Sequence, residues 1–126
     1  MPISLGSVQL RIMRVLWDEG EATARRITDV LNESGQIAHS TVQTLLRKLE
    51  VKRAVGHEQR DRTFVFRALV AESEVTRSAA HDLLSRVFQG SISGLVAHLL
   101  ESDEITPDEM KRLRALIEAK SKEIQR

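Results

Sequence analysis

IAHSTVQTLLRKLEVKRAVGHEQRDRTFVFR, residues 37–67, is the stretch on which the fold turns. Wound as a helix, its Val42, Leu45, Leu46 and Leu49 fall on one narrow stripe, at the i, i+3, i+4, i+7 spacing of a buried face. Thr44, Arg47, Lys48 and Val51 then point away from the core, with Thr41 and Gln43 on the flanks. Hydroxyls, an amide and cations in that arrangement suit base edges and phosphates. Ser40 is the expected N-cap, and Gln43 completes a capping box. A helix start of this kind also offers free N–H groups and a positive dipole end to a phosphate. Helical spacing alone does not separate a reading face from one that merely meets water.

The residues after the helix weigh on that choice. Gly56 to Arg67 is a polar run with turn-forming Asp61, then Thr63, Phe64, Val65, Phe66 and Arg67 alternating as a half-buried strand does. Phe64 and Phe66 share one face and Thr63, Val65 and Arg67 the other, while Arg60 and Arg62 flank the turn. A two-faced helix followed by a hairpin with cations at its tip is the outline of a winged helix-turn-helix.

Upstream, a first periodic segment runs from Ser7, a capping residue, to Asp18, with Leu10, Met13, Val15, Leu16 and Trp17 apolar; Asp18-Glu19-Gly20 ends it. Trp17, the only tryptophan, reads as core. A second helix starts after Thr23, carries Ile27, Val30 and Leu31 inward and stops at Ser34-Gly35. Two short helices and the two-faced third form a tri-helical unit whose second and third members are the helix-turn-helix pair. Arg25 and Arg26 stand in the first turn of helix two, where the dipole disfavours cations. They are either candidate phosphate contacts or two solvated arginines.

Charge is distributed unevenly. The net +1 divides into 11 Lys/Arg against 8 Asp/Glu in residues 1–70 and 8 against 10 in residues 71–126, and residues 39–70 alone hold 7 against 3. Basic charge therefore concentrates on the third helix and hairpin, as a polyanion partner requires. The 41% hydrophobic and 29% charged composition is that of a folded chain. With no cysteine, disulfides, thiolate metal sites and cysteine nucleophiles are excluded together. MPISLGSVQLRIM has no basic region followed by an unbroken apolar run, and no segment approaches the ~20 apolar residues of a membrane span, so a cytoplasmic protein without a membrane partner is expected.

From Glu72 onward the pattern is helical only. Val75, Ala79, Leu83, Leu84, Val87 and Phe88 form one periodic set ending at Gly90, and Ile92, Leu95, Val96, Leu99 and Leu100 form a second after Ser91. Thr106-Pro107-Asp108-Glu109 combines an N-cap, a first-position proline and a capping-box acid ahead of Met110, Leu113, Leu116 and Ile117. Three helices of this size bury too little apolar surface alone, so their leucine faces call for a partner, most simply a second copy. The expected organisation is mainly α: a winged helix-turn-helix DNA-binding domain of three helices and a β-hairpin wing in residues 1–70, and a three-helix dimerisation region in residues 71–126. Leu84, Val87, Phe88, Leu95, Val96, Leu99, Leu113, Leu116 and Ile117 are the expected dimer contacts.

Enzymatic readings find no support. His39, His57, His81 and His98 show no metal-binding spacing, no glycine-rich phosphate loop is present, and the serines stand in no nucleophile context. No metal, cofactor or catalytic residue is expected.

Trp17 with the second helix, STVQTLLRKLE at Ser40–Glu50, TFVFRALV at Thr63–Val70 and SRVFQGSISGLVAHLLESDEITPDEMKRLRALI at Ser85–Ile117 together resemble the penicillinase repressor family, the BlaI/MecI type, over about Leu5 to Lys120. The resemblance implies a dimeric repressor that binds inverted repeats, often with TACA/TGTA cores, ahead of genes for β-lactam resistance or other stress responses. By position, Ser40, Thr41, Gln43 and Thr44 match its recognition-helix residues, and Arg60 and Arg62 those of its wing. It also implies an inactivating protease as a partner, cutting at the bond that matches His98–Leu99 here, where known examples have Asn–Phe. The absence of cysteine excludes the hook of the copper-responsive branch. Lys52-Arg53 replaces the family's Lys-Gly, so the recognition helix is expected to end differently.

The expected function is a dimeric, sequence-specific repressor on a palindromic operator. In it Gln43 and Thr44 touch bases, and Arg47, Lys48, Arg60 and Arg62 neutralise phosphates. The alternative is a winged-helix module for protein–protein interaction, which the small net charge leaves open.

Overall fold

A computed structural model of the chain describes residues 4–125. Helix α1 (Ser7–Glu19) opens on Gly6, whose N–H donates to Gln9 Oε1 at 3.0 Å, so Ser7 is the first helical residue and not the cap. The buried Gln9 side chain also receives Lys52 Nζ at 3.2 Å, which leaves it no unsatisfied oxygen. At the other end Gly20 takes φ 84° and donates its N–H to Leu16 O at 2.8 Å. Only glycine enters that left-handed exit without steric cost.

Strand β1 (Ala22–Thr23) comes next. Two residues carry no alternation, so no sequence pattern announces it. Thr23 also caps α2 (Ala24–Leu31), its hydroxyl accepting the Arg26 N–H at 3.1 Å. After one 3-10 turn, Asn32–Ser34, the Asn32 side chain clamps the connection by accepting from Ile37 N at 2.7 Å and donating to Ile37 O at 3.2 Å.

Helix α3 spans His39–Val51 with Ala38 at its N-cap and no side-chain cap, which corrects the expected cap at Ser40. The clamp at Ile37, together with His39 Nδ1 lying 3.2 Å from Thr28 Oγ1, sets the chain into helical geometry before Ser40 is reached. Its other end is also a correction. Despite the missing glycine, α3 closes in the same left-handed turn: Arg53 adopts φ 63°, Arg53 N donates to Glu50 O at 3.0 Å, and Ala54 N donates to Leu49 O at 2.9 Å. Those paired bonds are the Schellman arrangement, with arginine where glycine is favoured. Arg53→Gly is accordingly expected to raise stability by about 1 kcal/mol, read as a higher urea midpoint at unchanged slope. A lower midpoint would mean that the arginine side chain stabilises the turn by more than its backbone strain costs.

Strands β2 (Val55–Arg60) and β3 (Thr63–Ala68) pair antiparallel from Val55↔Ala68 to Arg60↔Thr63, and β1 adds to the far edge in the order β1-β3-β2. β3 is therefore the central strand. For that reason Val65 and Phe66 are both buried although they face opposite ways, in place of the one-sided burial expected for a simple hairpin. Asp61 and Arg62 make the turn with φ 50° and 72°, both positive as a two-residue type I′ hairpin turn demands.

Ile12, Met13 and Leu16 of α1, Ile27 and Leu31 of α2, Val42, Leu46 and Leu49 of α3, and Val55 and Phe66 of the sheet form one core. Trp17 is half-buried against it, and its indole N–H is satisfied by Val70 O at 2.9 Å. The stripe read from the sequence thus fixes which side of α3 is buried, with the half-buried Leu45 at its edge.

Packing divides the chain into units of residues 1–82 and 83–126, the division falling inside α4 (Glu72–Val87). In the second unit Ser91 Oγ accepts Gly94 N at 2.9 Å to start α5 (Ile92–Leu100), and Thr106 Oγ1 accepts Glu109 N at 3.1 Å to start α6 (Pro107–Ile124). Neither α5 nor α6 has a fully buried residue. Among the described residues, no single helix is long and apolar enough to cross a membrane.

Candidate nucleic-acid interface

Because Val42, Leu46 and Leu49 are wholly buried, the opposite side of α3 is held toward solvent. Ser40, Thr41, Gln43, Thr44, Arg47 and Lys48 are all exposed on α3, and Val51 closes the row at 85% exposure. Within the row Thr44 Oγ1 donates to Ser40 O at 3.0 Å and accepts from Arg47 Nη2 at 3.3 Å, which lays Arg47 back along the helix.

The wing is tied to this helix by a pair that no sequence pattern announces. His57 Nδ1 of β2 lies 2.7 and 2.9 Å from the two carboxylate oxygens of Glu50 on α3. The same imidazole stacks on Phe64, with centroids 4.3 Å apart, and tilts against Phe66 at 5.5 Å. Register explains the grouping, since His57 pairs with Phe66 and the next residue on that face of β3 is Phe64. A link between helix and wing fixes the distance between the two elements that a duplex would meet together.

The cations separate into engaged and available sets. Arg60 forms ion pairs with Glu21 at 2.8 Å and with Glu58, which also receives Arg67 at 2.8 Å. Glu58, ahead of Glu21, holds the Arg60 guanidinium protonated beyond its ordinary value. Arg26 is held by two hydrogen bonds to Glu19, at 3.0 and 3.1 Å. Those bonds pull the Glu19 carboxyl below its usual range, so the stabilisation from this exposed pair is present above the ordinary carboxylate value and fades as pH falls through the lowered one. Arg62, by contrast, has no ion-pair or hydrogen-bond partner among the described residues. It shares with Arg25 and Arg47 the border of a cleft of about 590 Å³ between α3, the start of α2 and the wing.

Of the residues expected at this site, Ser40, Thr41, Gln43, Thr44, Arg47 and Lys48 lie on α3's exposed side, and Arg25 and Arg62 join Gln43 and Arg47 around the cleft. Arg26 and Arg60 have carboxylate partners instead. Among the described residues, no group of three or more His, Asp or Glu gathers as a metal site.

A sequence profile described as Penicillinase repressor matches residues 5–119. The chain belongs to the penicillinase repressor family. It is 25% identical over 114 residues to the penicillinase repressor of Bacillus licheniformis, covering 90% of this chain and 89% of that one. To the methicillin resistance regulatory protein MecI of Staphylococcus aureus it is 22% identical over 116 residues, covering 92% and 94%. Among solved structures, the DNA-binding domain of the repressor BlaI superposes with a TM-score of 0.53 at 24% identity, over 59% of this chain and 90% of that one. A MarR variant from E. coli complexed with operator DNA superposes at 0.55 and 16% identity, over 94% of this chain and 76% of that one. At these identities the superpositions establish the fold alone, a winged helix.

Proposed function

We propose that this protein is a DNA-binding transcriptional repressor that acts in the cytoplasm as a homodimer on an inverted-repeat operator. The observation that carries the reading is the pairing of α3's exposed polar face with an unpartnered Arg62 at the wing tip. Arg62 occupies the second turn position, where glycine is preferred, at φ 72°. Arg62 has no carboxylate partner among the described residues, so keeping a cation at that turn position supports contact with a polyanion. In this reading α3 enters the major groove, Gln43 and Thr44 reach base edges, and Arg47, Lys48 and Arg62, with Arg25 beside them, meet phosphates. Arg60 serves more to brace the wing, given its two carboxylate partners.

Residues 1–70 would then be the reading domain and residues 71–126 the dimerisation region. Val87, Leu99, Leu116 and Ile117 stand largely exposed in this single chain, at 60%, 56%, 67% and 61%, and Leu84, Phe88, Leu95, Val96 and Leu113 are only half-buried. A twofold partner would cover such faces and present two reading helices to a palindrome. The relatives' roles, in penicillinase repression and methicillin resistance regulation, point to control of β-lactam resistance or another stress response. Inactivation by a protease at His98–Leu99 would require the end of α5 to unwind, because the bond lies inside that helix.

Two substitutions separate the two kinds of contact. Arg62→Ala is expected to weaken every duplex alike and to reduce the salt dependence by about one phosphate's worth. Gln43→Ala is expected to narrow the gap between operator and scrambled duplex by about 1–3 kcal/mol, with little change in salt slope. Binding titrations at several salt concentrations check both. An unchanged gap would remove Gln43 as a reader, and an unchanged slope would remove Arg62 as a phosphate contact.

A further inference from the structure

The cleft between α3, the start of α2 and the wing has features that phosphate contacts leave unused. Its volume of about 590 Å³ matches the size of small-molecule sites. Arg25, Arg47 and Arg62 give it three guanidinium groups, and its single carboxylate, Glu50, is already held by His57. Its aromatic side is Phe64, still 47% exposed although His57 stacks on it. A sugar-phosphate backbone accounts for the cations but gives no reason for an open aromatic ring among them. A flat ring with an attached anion uses both, since planar guanidinium groups pair well with carboxylates and aromatic faces stack.

We propose that this cleft binds a planar aromatic carboxylate, its ring against Phe64 and its carboxylate on Arg62 and Arg47, and that the occupant excludes DNA by taking the same side chains. Ligand binding stands on the cleft alone, whereas the exclusion of DNA rests on the function proposed above. The site then makes the chain's release from an operator respond to a small molecule, without cleavage.

The test titrates the full chain, free of DNA, with naphthoate and separately with the neutral naphthalenemethanol, followed by amide NMR. Naphthoate is expected to shift resonances of Gln43, Glu50, His57 and Phe64, and to bind more tightly than the alcohol. Arg62→Glu is expected to weaken naphthoate by about tenfold and leave the alcohol unchanged, and Phe64→Ser to weaken both. Shifts confined to other residues, or equal affinity for acid and alcohol, would overturn the site. A second arm adds naphthoate to a protein–duplex complex. Release of the duplex supports exclusion, and retention with the cleft occupied overturns it. A chain that binds no duplex defeats the DNA-binding reading, and the titration of the free protein then decides the site by itself.

Discussion

Leu46→Ala is expected to destabilise the N-terminal unit by about 2–5 kcal/mol, the range for deleting a fully buried leucine from a core that relaxes only partly. Leu46 has no exposed surface and lies on α3 between the equally buried Val42 and Leu49. Leu46 shares one core with buried side chains of α1, α2 and the sheet. A unit of this size has only about 5–15 kcal/mol of stability, so the variant should melt many degrees lower. The loss also bears on recognition, because this stripe is what holds the opposite face of α3 toward solvent. A chemical denaturation curve checks it, and a loss below about 1 kcal/mol would mean that α3 is not packed as described.

Leu116→Glu with Ile117→Glu tests the other half of the chain, on the proposal that α4–α6 carry the dimer contact. Both side chains are more than three-fifths exposed in the single chain, so the pair should leave each unit folded. In a dimer the four new carboxylates would be buried near one another, which is strongly unfavourable without partners. Sedimentation should therefore show a monomer. Affinity for a duplex with two half-sites should fall about a hundredfold or more, as the second contact loses its effective concentration. Affinity for a single half-site should stay unchanged. A variant that still sediments as a dimer would move the interface elsewhere.

Much of this was legible in the sequence because it rests on local periodicity and capping. The stripe of Val42, Leu46 and Leu49 determined the two sides of α3, and Thr23 and Thr106 cap the helices their positions suggested. Features that depend on distant partners were not legible. The two residues of β1 become a strand only because β3 lies beside them, and this also buries Val65. The Glu50–His57 link, the Glu21–Arg60 pair and the Thr28–His39 contact join elements whose spacing in sequence carries no signal. Composition therefore counted Arg60 and Arg26 as basic charge on an equal footing with Arg62, whereas the fold gives the first two carboxylate partners. Ser40 failed as a cap for a related reason: the Asn32 clamp and His39 start the helix earlier. At Arg53, sequence preference for glycine was outweighed by closure of the paired hydrogen bonds to Leu49 and Glu50.

The most direct test of the central claim is the fluorescence anisotropy of a labelled duplex carrying a TACA/TGTA inverted repeat, titrated with the protein at low and high salt beside a scrambled duplex. Tight, steeply salt-dependent binding to the repeat, saturating at two chains per duplex and far above the scrambled control, is the predicted result. Equal binding to both duplexes, or affinity indifferent to salt, would contradict a sequence-reading repressor and favour a surface made for protein.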